Sequence, residues 1–462
     1  MIRLPFTPLV AAAIFAAGAA TAADPPNIVL LLSDDQAWTD YGFMGHDAIK
    51  TPALDKLAAG GATFRRGYVP TALCRPSLMC LATGHYASRH GVTGNDPSPK
   101  LAPPRSPDYQ ALRDKLIAKI EAFDTLPELL AAQGYVSFQS GKWWEGSAAH
   151  GGFTAGMTHG DAKRGGRHGD VGLKIGREGM EPVLGFIDKA VADQKPFYLW
   201  YAPFLPHTPH TPPQRLLDKY TAPDRPEALA KYYAMCEWYD ETCAAILDHL
   251  DAKGIAENTL VVSLTDNGWI QRTPQTGVPE GWTQAFAPRS KQSPNEGGTR
   301  TPIIYRWPAR IKAGERPELA TSLDIFPTML AAAGAPIPEG LPGLNLLPQL
   351  ASGEAIARDT IFGESFAHDI ADLDNPQASL LYRWVIEGKW KLLLTYDGEV
   401  GRYGNTHPRT EKRPQLFDLI ADPTEEKNLA AENPDVVARL AKKLEDWYPT
   451  PQRKVVTEWG AN

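Results

Sequence analysis

Two stretches of this sequence end in adjacent polar acids or amides, and a third places a thiol where an anion would be stabilised. The segments "PNIVLLLSDDQ" and "NTLVVSLTDNGW" finish in Asp34-Asp35 and Asp266-Asn267. Between them, "TALCRPSLMCLATGHY" carries Cys74 at the doorstep of a short helical pattern, with Pro76 suited to the first helical position and Gly84 to the exit. A helix N-terminus offers unpaired N–H groups and the positive end of the helix dipole, which favours a thiolate or an oxyanion ligand. A plain buried cysteine fits the same pattern. Three carboxylates brought together repel unless a cation neutralises them. With an amide they form an all-oxygen set that suits Ca2+ or Mg2+ and argues against zinc, which prefers nitrogen and sulfur.

Cations follow at comparable places. Lys142 closes "GYVSFQSGKWW", His207 follows the run "KPFYLWYAPFLPHTPH", and Lys291 sits in the polar lead of "RSKQSPNEGGTRTPIIYRWP". Each is unremarkable alone, because a lysine at a strand end is ordinarily solvated. Together they converge on the edge that carries the acids, as a site for an anion held beside a metal would require.

The elements that must deliver these residues are readable. Continuous Val/Leu/Ile runs describe strands buried on both faces, as in a parallel sheet under helices. In such sheets ligands sit beyond the C-terminal strand ends, where both acidic pairs fall. Thr125 and Glu128 have capping-box spacing, Pro127 sits in the first turn, and Gly134 can close that helix. The predicted fold is α/β with a large, mostly parallel central sheet over residues 24–350. A smaller α+β subdomain follows over 351–462, bordered by the Pro/Gly-rich "GAPIPEGLPGLNLLPQLASGE". In it "YRWVIEGKWKLLLTY" reads as a hairpin around Glu387-Gly388-Lys389 and "NPDVVARLAKKLEDWY" as a closing amphipathic helix.

Composition narrows the function. The opening Arg3 and apolar, small-residue run up to Asp24 match a cleaved export signal over residues 1–23, so the expected location is periplasmic or secreted. No later segment has the length of apolar residues that a spanning helix needs. A net charge of −7 gives no basic surface for nucleic acid. Four cysteines in 462 residues are no disulfide scaffold. Cys236 and Cys243, on one helical pattern, would stand about 10 Å apart, too far for a bridge.

Taken in order, "PNIVLLLSDD", "CRPS…TG", "GYVSFQSGKWW", "PHTP", "TDNG", "EGGTRTPIIYRWP" and "QLFDLIADPTEEKNLA" resemble the formylglycine-dependent sulfatases of the alkaline phosphatase superfamily. The resemblance implies an alkaline-phosphatase-like fold and a sulfate-ester hydrolase. It implies that Cys74 is oxidised to formylglycine (3-oxoalanine) by a maturation enzyme, and that the hydrate's hydroxyl attacks sulfur. It further implies one Ca2+ held by Asp34, Asp35, Asp266, Asn267 and the modified Cys74. Lys142 and Lys291 would stabilise the sulfate, and His207 would protonate the departing alcohol. A sulfated carbohydrate is the expected substrate.

Two positions depart from the family pattern. Leu78 stands where an arginine orients the modified residue, and Trp144 where a histidine takes a proton as sulfate leaves. The loop "HGGFTAGMTHGDAKRGGRHGDVGLKIGREG" offers His150, His159, Arg164, Arg167 and His168 as replacements or as substrate contacts, together with Trp144 and, beyond the loop, His210. The rival readings are a phosphate mono- or diesterase of the same superfamily and a non-catalytic, Ca2+-dependent binder of sulfated glycans.

Overall fold

The computed structural model describes residues 24–164, 166–269, 289–398 and 414–456. The expected export signal, residues 1–23, lies outside them. Among the described residues nine strands form the central sheet: β1 (Asn27–Ser33), β2 (Ala62–Tyr68), β3 (Val136–Gly141), β4 (Ala155–Gly156), β5 (Phe197–Ala202), β6 (Thr259–Thr265), β7 (Arg300–Arg306), β8 (Gly314–Arg316) and β9 (Ala320–Thr321). Their spatial order is β9-β2-β7-β6-β1-β5-β3-β4, with β8 attached to β2.

The apolar runs explain the centre of this order. β5 and β6 are buried at every residue, and β1 at every residue but its first. Such strands need cover on both faces. Alternate residues of β1 supply two cores: Ile28, Leu30 and Leu32 face one, Val29 and Leu31 the other. β1 pairs in parallel with β5 and with β6, and Ser33 lies opposite Thr265. That register makes Asp34 and Asp266 leave neighbouring strands at one edge. β7 runs against the rest, antiparallel to β6 and β2, so the sheet is mixed but mostly parallel.

Helix α1 (Cys74–Thr83) is buried at all its residues and ends at Gly84, whose φ of 73° and N–H bond to Cys80 close it. It begins two residues earlier than Pro76 predicts. Pro76 sits within the first turn, where its missing N–H forfeits no helical bond, and Cys74 becomes the first helical residue. The capping box at Thr125 and Glu128 is present. The long helix α2 (Glu227–Ala252) carries Cys236 and Cys243, and all four cysteines are free and buried. No helix among the described residues is long and apolar enough to cross a membrane.

A second sheet holds four antiparallel strands, Thr360–Phe366, Leu380–Glu387, Trp390–Thr395 and Gln415–Asp418, in that order. Its expected hairpin turns at Gly388, and helix α3 (Pro434–Trp447) buries Leu440 and Leu444 against it. This sheet reaches the site through a charge. Lys391 is fully buried, with its ammonium 3.0 Å from Glu296 and 3.1 Å from Glu425. Glu425 in turn accepts the Glu296 N–H at 2.7 Å, and Tyr68 donates to Glu296 at 2.9 Å. Glu296 lies just beyond Lys291, so the small sheet anchors the loop that presents that lysine.

Breaking a buried pair from one side costs about 3–5 kcal/mol, because the remaining charge loses its partner. Lys391→Met should therefore lower the stability measured by denaturant unfolding by that order. A loss under about 1 kcal/mol, the range of exposed pairs, would show that the network carries little.

Candidate active site

The four strand-end residues and the thiol meet as the register requires. One ligand atom each from Asp34, Asp35, Cys74 and Asp266 lies within 4.8 Å of the others, and all four residues are buried. Asp34 is fixed by its N–H bond to Leu205 at 2.9 Å. Asp35 takes a positive φ of 61° and gives its N–H to Asp266 Oδ1 at 3.1 Å. A non-glycine residue in this region persists where its surroundings over-determine it. Asn267 Nδ2 donates to Asp35 Oδ1 at 2.7 Å.

Two glycines make this crowding feasible. A Cβ on Gly141, at φ 79°, would lie 1.8 Å from the Ala202 carbonyl, and one on Gly268 would lie 1.7 Å from that of Gly297. Only glycine permits these approaches. The first lets Lys142 leave β3 bonded to Ala202 at 2.7 Å, and the second docks the turn after Asn267 onto Gly298 at 3.0 Å.

The lysines enter the cluster directly. Lys142 Nζ donates to Asp34 Oδ1 at 2.6 Å and stands 3.8 Å from Asp266 Oδ2. Lys291 Nζ donates to both oxygens of Asp35, at 2.6 and 2.9 Å, and to Cys74 Sγ at 3.0 Å. Burial would raise the Asp35 carboxyl, but Lys291, His207 and Lys142 outweigh it and hold Asp35 well below the usual carboxylate range. Asp34 and Asp266 are pushed up, by burial first and by neighbouring acids. Burial drives the Cys74 thiol up to about 12 against the pull of both lysines.

Three oxygens test whether a cation fits. Asp34 Oδ2, Asp266 Oδ2 and Asn267 Oδ1 are buried and accept no hydrogen bond. Orphaned buried acceptors are costly. An oxygen-only set with unsatisfied lone pairs suits a hard divalent cation such as Ca2+.

His207 Nε2 lies 3.3 Å from Asp35 Oδ2, and its ring stacks on Phe204 at 4.1 Å. Nδ1 faces the Thr208 carbonyl at 2.6 Å, which can only accept, so Nδ1 carries a proton and Nε2 is the atom that exchanges one. Burial lowers His207, while Asp35 opposes that shift. Arg177 holds the loop by donating to the carbonyls of Phe204 at 2.6 Å and His207 at 2.8 Å.

The other expected contacts divide. Trp144 is buried beside the site, with Arg167 4.5 Å over its ring and His168 at 5.0 Å on the ring centroid. His210 packs on Tyr232 and is lowered to about 4, chiefly by burial. His150 is turned to the Glu145 carbonyl and Glu121, and His159 to Asp170. Arg164 is exposed. None of these three is joined to the acidic cluster. His168 is lowered to about 3 by burial, Arg167 and Lys142, which makes it a weak base. Leu78 packs into the core between sheet and helices.

Sequence spacing did not point to Arg75, Glu145 or Arg177. Arg75 is buried and makes a two-pronged pair with Glu145, at 2.7 and 2.6 Å, across 70 residues of chain. It also reaches the Asn95 carbonyl at 3.2 Å. Such partners are brought together only by folding, and no local motif announces them.

Comparison with known proteins agrees with this geometry. The Sulfatase family model matches residues 26–335, and a model of the N-sulphoglucosamine sulphohydrolase C-terminal region matches residues 290–449. Human arylsulfatase A is 28% identical over 92% of this chain and 88% of its own. The N-acetylgalactosamine-6-sulfatase of Canis lupus familiaris is 29% identical over 94% of this chain and 88% of its own. A protein solved in connection with glycosaminoglycan metabolism by Bacteroides thetaiotaomicron shares the fold, with a TM-score of 0.69, 22% identity, and coverage of 91% of this chain and 99% of its own. Family match and strand-end cluster lead to one conclusion: the chain belongs to the sulfatase family of the alkaline phosphatase superfamily and is a sulfuric ester hydrolase.

Proposed function

We propose that this sulfatase acts on a sulfated carbohydrate outside the cytoplasm, with a formylglycine made from Cys74 and a single Ca2+. The observation that carries the reading is the charge set around Cys74: Asp34, Asp35 and Asp266 against Lys142 and Lys291, all buried. Three carboxylates and two ammoniums leave one negative charge. A divalent cation reverses its sign and makes the site one for an anionic ester. The choice of sulfate over phosphate rests on the family match and the sulfatase relatives.

Asp34, Asp35, Asp266 and Asn267 would hold the Ca2+. Bound there, the cation would polarise the sulfate oxygens and acidify the nucleophilic hydroxyl. Cys74, as the hydrated formylglycine, would supply that hydroxyl at the first residue of α1, where the helix dipole favours negative charge. Lys142 and Lys291 bring positive charge to the sulfate oxygens as negative charge grows on them. His207, once protonated on Nε2 as an imidazolium facing Asp35 at 3.3 Å, gives that proton to the leaving alcohol. Arg177 keeps that ring in place through the two loop carbonyls. Trp144 offers a donor but no acceptor, so the wall it forms with Arg167 and His168 is assigned to substrate contact. The sugar-directed relatives support a carbohydrate as the alcohol.

The direct test is sulfate release by the wild type and by Cys74→Ala from aryl and sugar sulfates, with phosphate esters in parallel. Cys74→Ala should lose turnover without a change in unfolding temperature, because the side chain's role is chemical. Substantial residual turnover, or preference for phosphate, would sink the reading.

Metal occupancy should be visible without turnover. A ligand bound only to the folded state at about 100 times its dissociation constant adds about 2.7 kcal/mol. Ca2+ added to chelator-treated protein should raise the unfolding temperature, and Asp266→Ala should abolish the rise. A rise with Zn2+ alone would contradict the oxygen-donor argument.

His207→Ala separates acid catalysis from sulfate binding. A general acid contributes about 10²–10⁴-fold, and most to poor leaving groups. The variant should lose far more on a sugar sulfate than on an acidic aryl sulfate, judged by kcat. Equal losses would assign His207 to binding.

A further inference from the structure

From His207 an unbroken wall of rings and cations leads away from the acidic cluster. His207 stacks on Phe204 at 4.1 Å, Phe204 meets His168 at 5.8 Å, His168 meets Trp144 at 5.0 Å, and the Arg167 guanidinium lies 4.5 Å over Trp144. Beyond stand Arg75, 5.9 Å from the Trp144 ring centroid, Asp96, paired with Arg167, and the helix Pro107–Ile117, which carries Arg113 and is tied beside Asp96 by the Tyr109 hydroxyl donating to the Pro97 carbonyl at 3.1 Å. The charges there are mostly paired: Arg75 with Glu145, Arg167 with Asp96, and His368 with Asp369 at 2.7 Å.

Arg113 is the exception. It lies on the helix Pro107–Ile117, half-buried, and among the described residues its guanidinium makes no hydrogen bond or ion pair; its Nε is buried without an acceptor. Burial depresses its pKa, Asp96 opposes that, and Arg75 and Arg167 add to it by like charge. Trp144 Nε1 is a second buried donor without an acceptor. A half-buried arginine near two others favours an anion, and its planar fork matches the paired oxygens of a sulfate or carboxylate.

We propose that Arg113, with Arg167 beside it, forms a second anion subsite that binds another sulfate or carboxylate of the same glycan while the scissile sulfate lies at Cys74. This rests on the sulfatase reading above, and it narrows the substrate class to carbohydrates bearing at least two anionic groups. Arg113 is thus a specificity residue, remote from the reacting atoms.

The test compares wild type with Arg113→Gln and Arg113→Lys on two matched hexosamine disaccharides. One carries a single sulfate, and the other adds a uronic acid carboxylate or a second sulfate. In Arg113→Gln, kcat/KM on the doubly charged sugar should fall ~10–100-fold through KM, with kcat nearly kept, a loss typical of one charge-assisted contact. The singly charged sugar should lose at least tenfold less. Arg113→Lys should recover only part, because a point charge cannot pair two oxygens. Calorimetric binding of both sugars keeps the inference separate from catalysis. If wild type releases sulfate from neither sugar, the carbohydrate reading fails, yet a preference for the doubly charged sugar that Arg113→Gln erases still supports the subsite. Equal effects on both sugars, in binding or turnover, or no effect on the doubly charged one, would overturn it.

Discussion

Three carboxylates buried within reach of one another at the ends of two neighbouring strands are the constraint on which this structure turns. Removing charges from water costs several kcal/mol for each ion even after relaxation. Asp34, Asp35 and Asp266 can stand together only with cations among them, and Lys142 and Lys291 are placed accordingly. The parallel pairing of β1 and β6 sets the spacing. Gly141 and Gly268 let the flanking chains close in. The positive φ of Asp35 turns its backbone toward Asp266. Even the remote Lys391, by tying Glu296 and Glu425 together, belongs to the support of the Lys291 loop.

The site has two sides built on different principles. The acidic pole is rigid, buried and cross-bonded, which suits electrostatic stabilisation that must be in place before charge develops. The side formed by Phe204, His168, Trp144 and Arg167 is made of ring faces and guanidinium groups from a loop and strand ends. Loops held on a rigid frame are where related proteins vary recognition while keeping chemistry. Trp144 lies at the junction, adjacent to Lys142 through one residue yet packed entirely into that wall.

Much of the frame was legible. The strands that end in Asp34 and Asp266 announce themselves as unbroken apolar runs, and their burial on both faces follows. That Cys74, Lys142, His207 and Lys291 come together at one edge was legible because each lies in a local motif of recognisable type. What could not be read depends on long-range folding. Arg75 finds Glu145 across 70 residues, and Lys391 reaches Glu296 across 95. The start of α1 was misplaced because Pro76 is as comfortable in the first turn as at its first residue. The loop histidines were grouped by composition, yet His150 and His159 are claimed by Glu121 and Asp170. Those partners carry no signal in the sequence near them.

The charge set at the sheet edge suits a Cys74 converted to formylglycine, since burial pushes the unmodified thiol up to about 12. Peptide mass spectrometry of protein purified from an exporting, maturation-competent host, matched to specific activity, addresses that conversion most directly. The peptide containing Cys74 should carry the aldehyde, and activity should rise in proportion to the aldehyde fraction. Fully active protein with Cys74 present only as the thiol would contradict it.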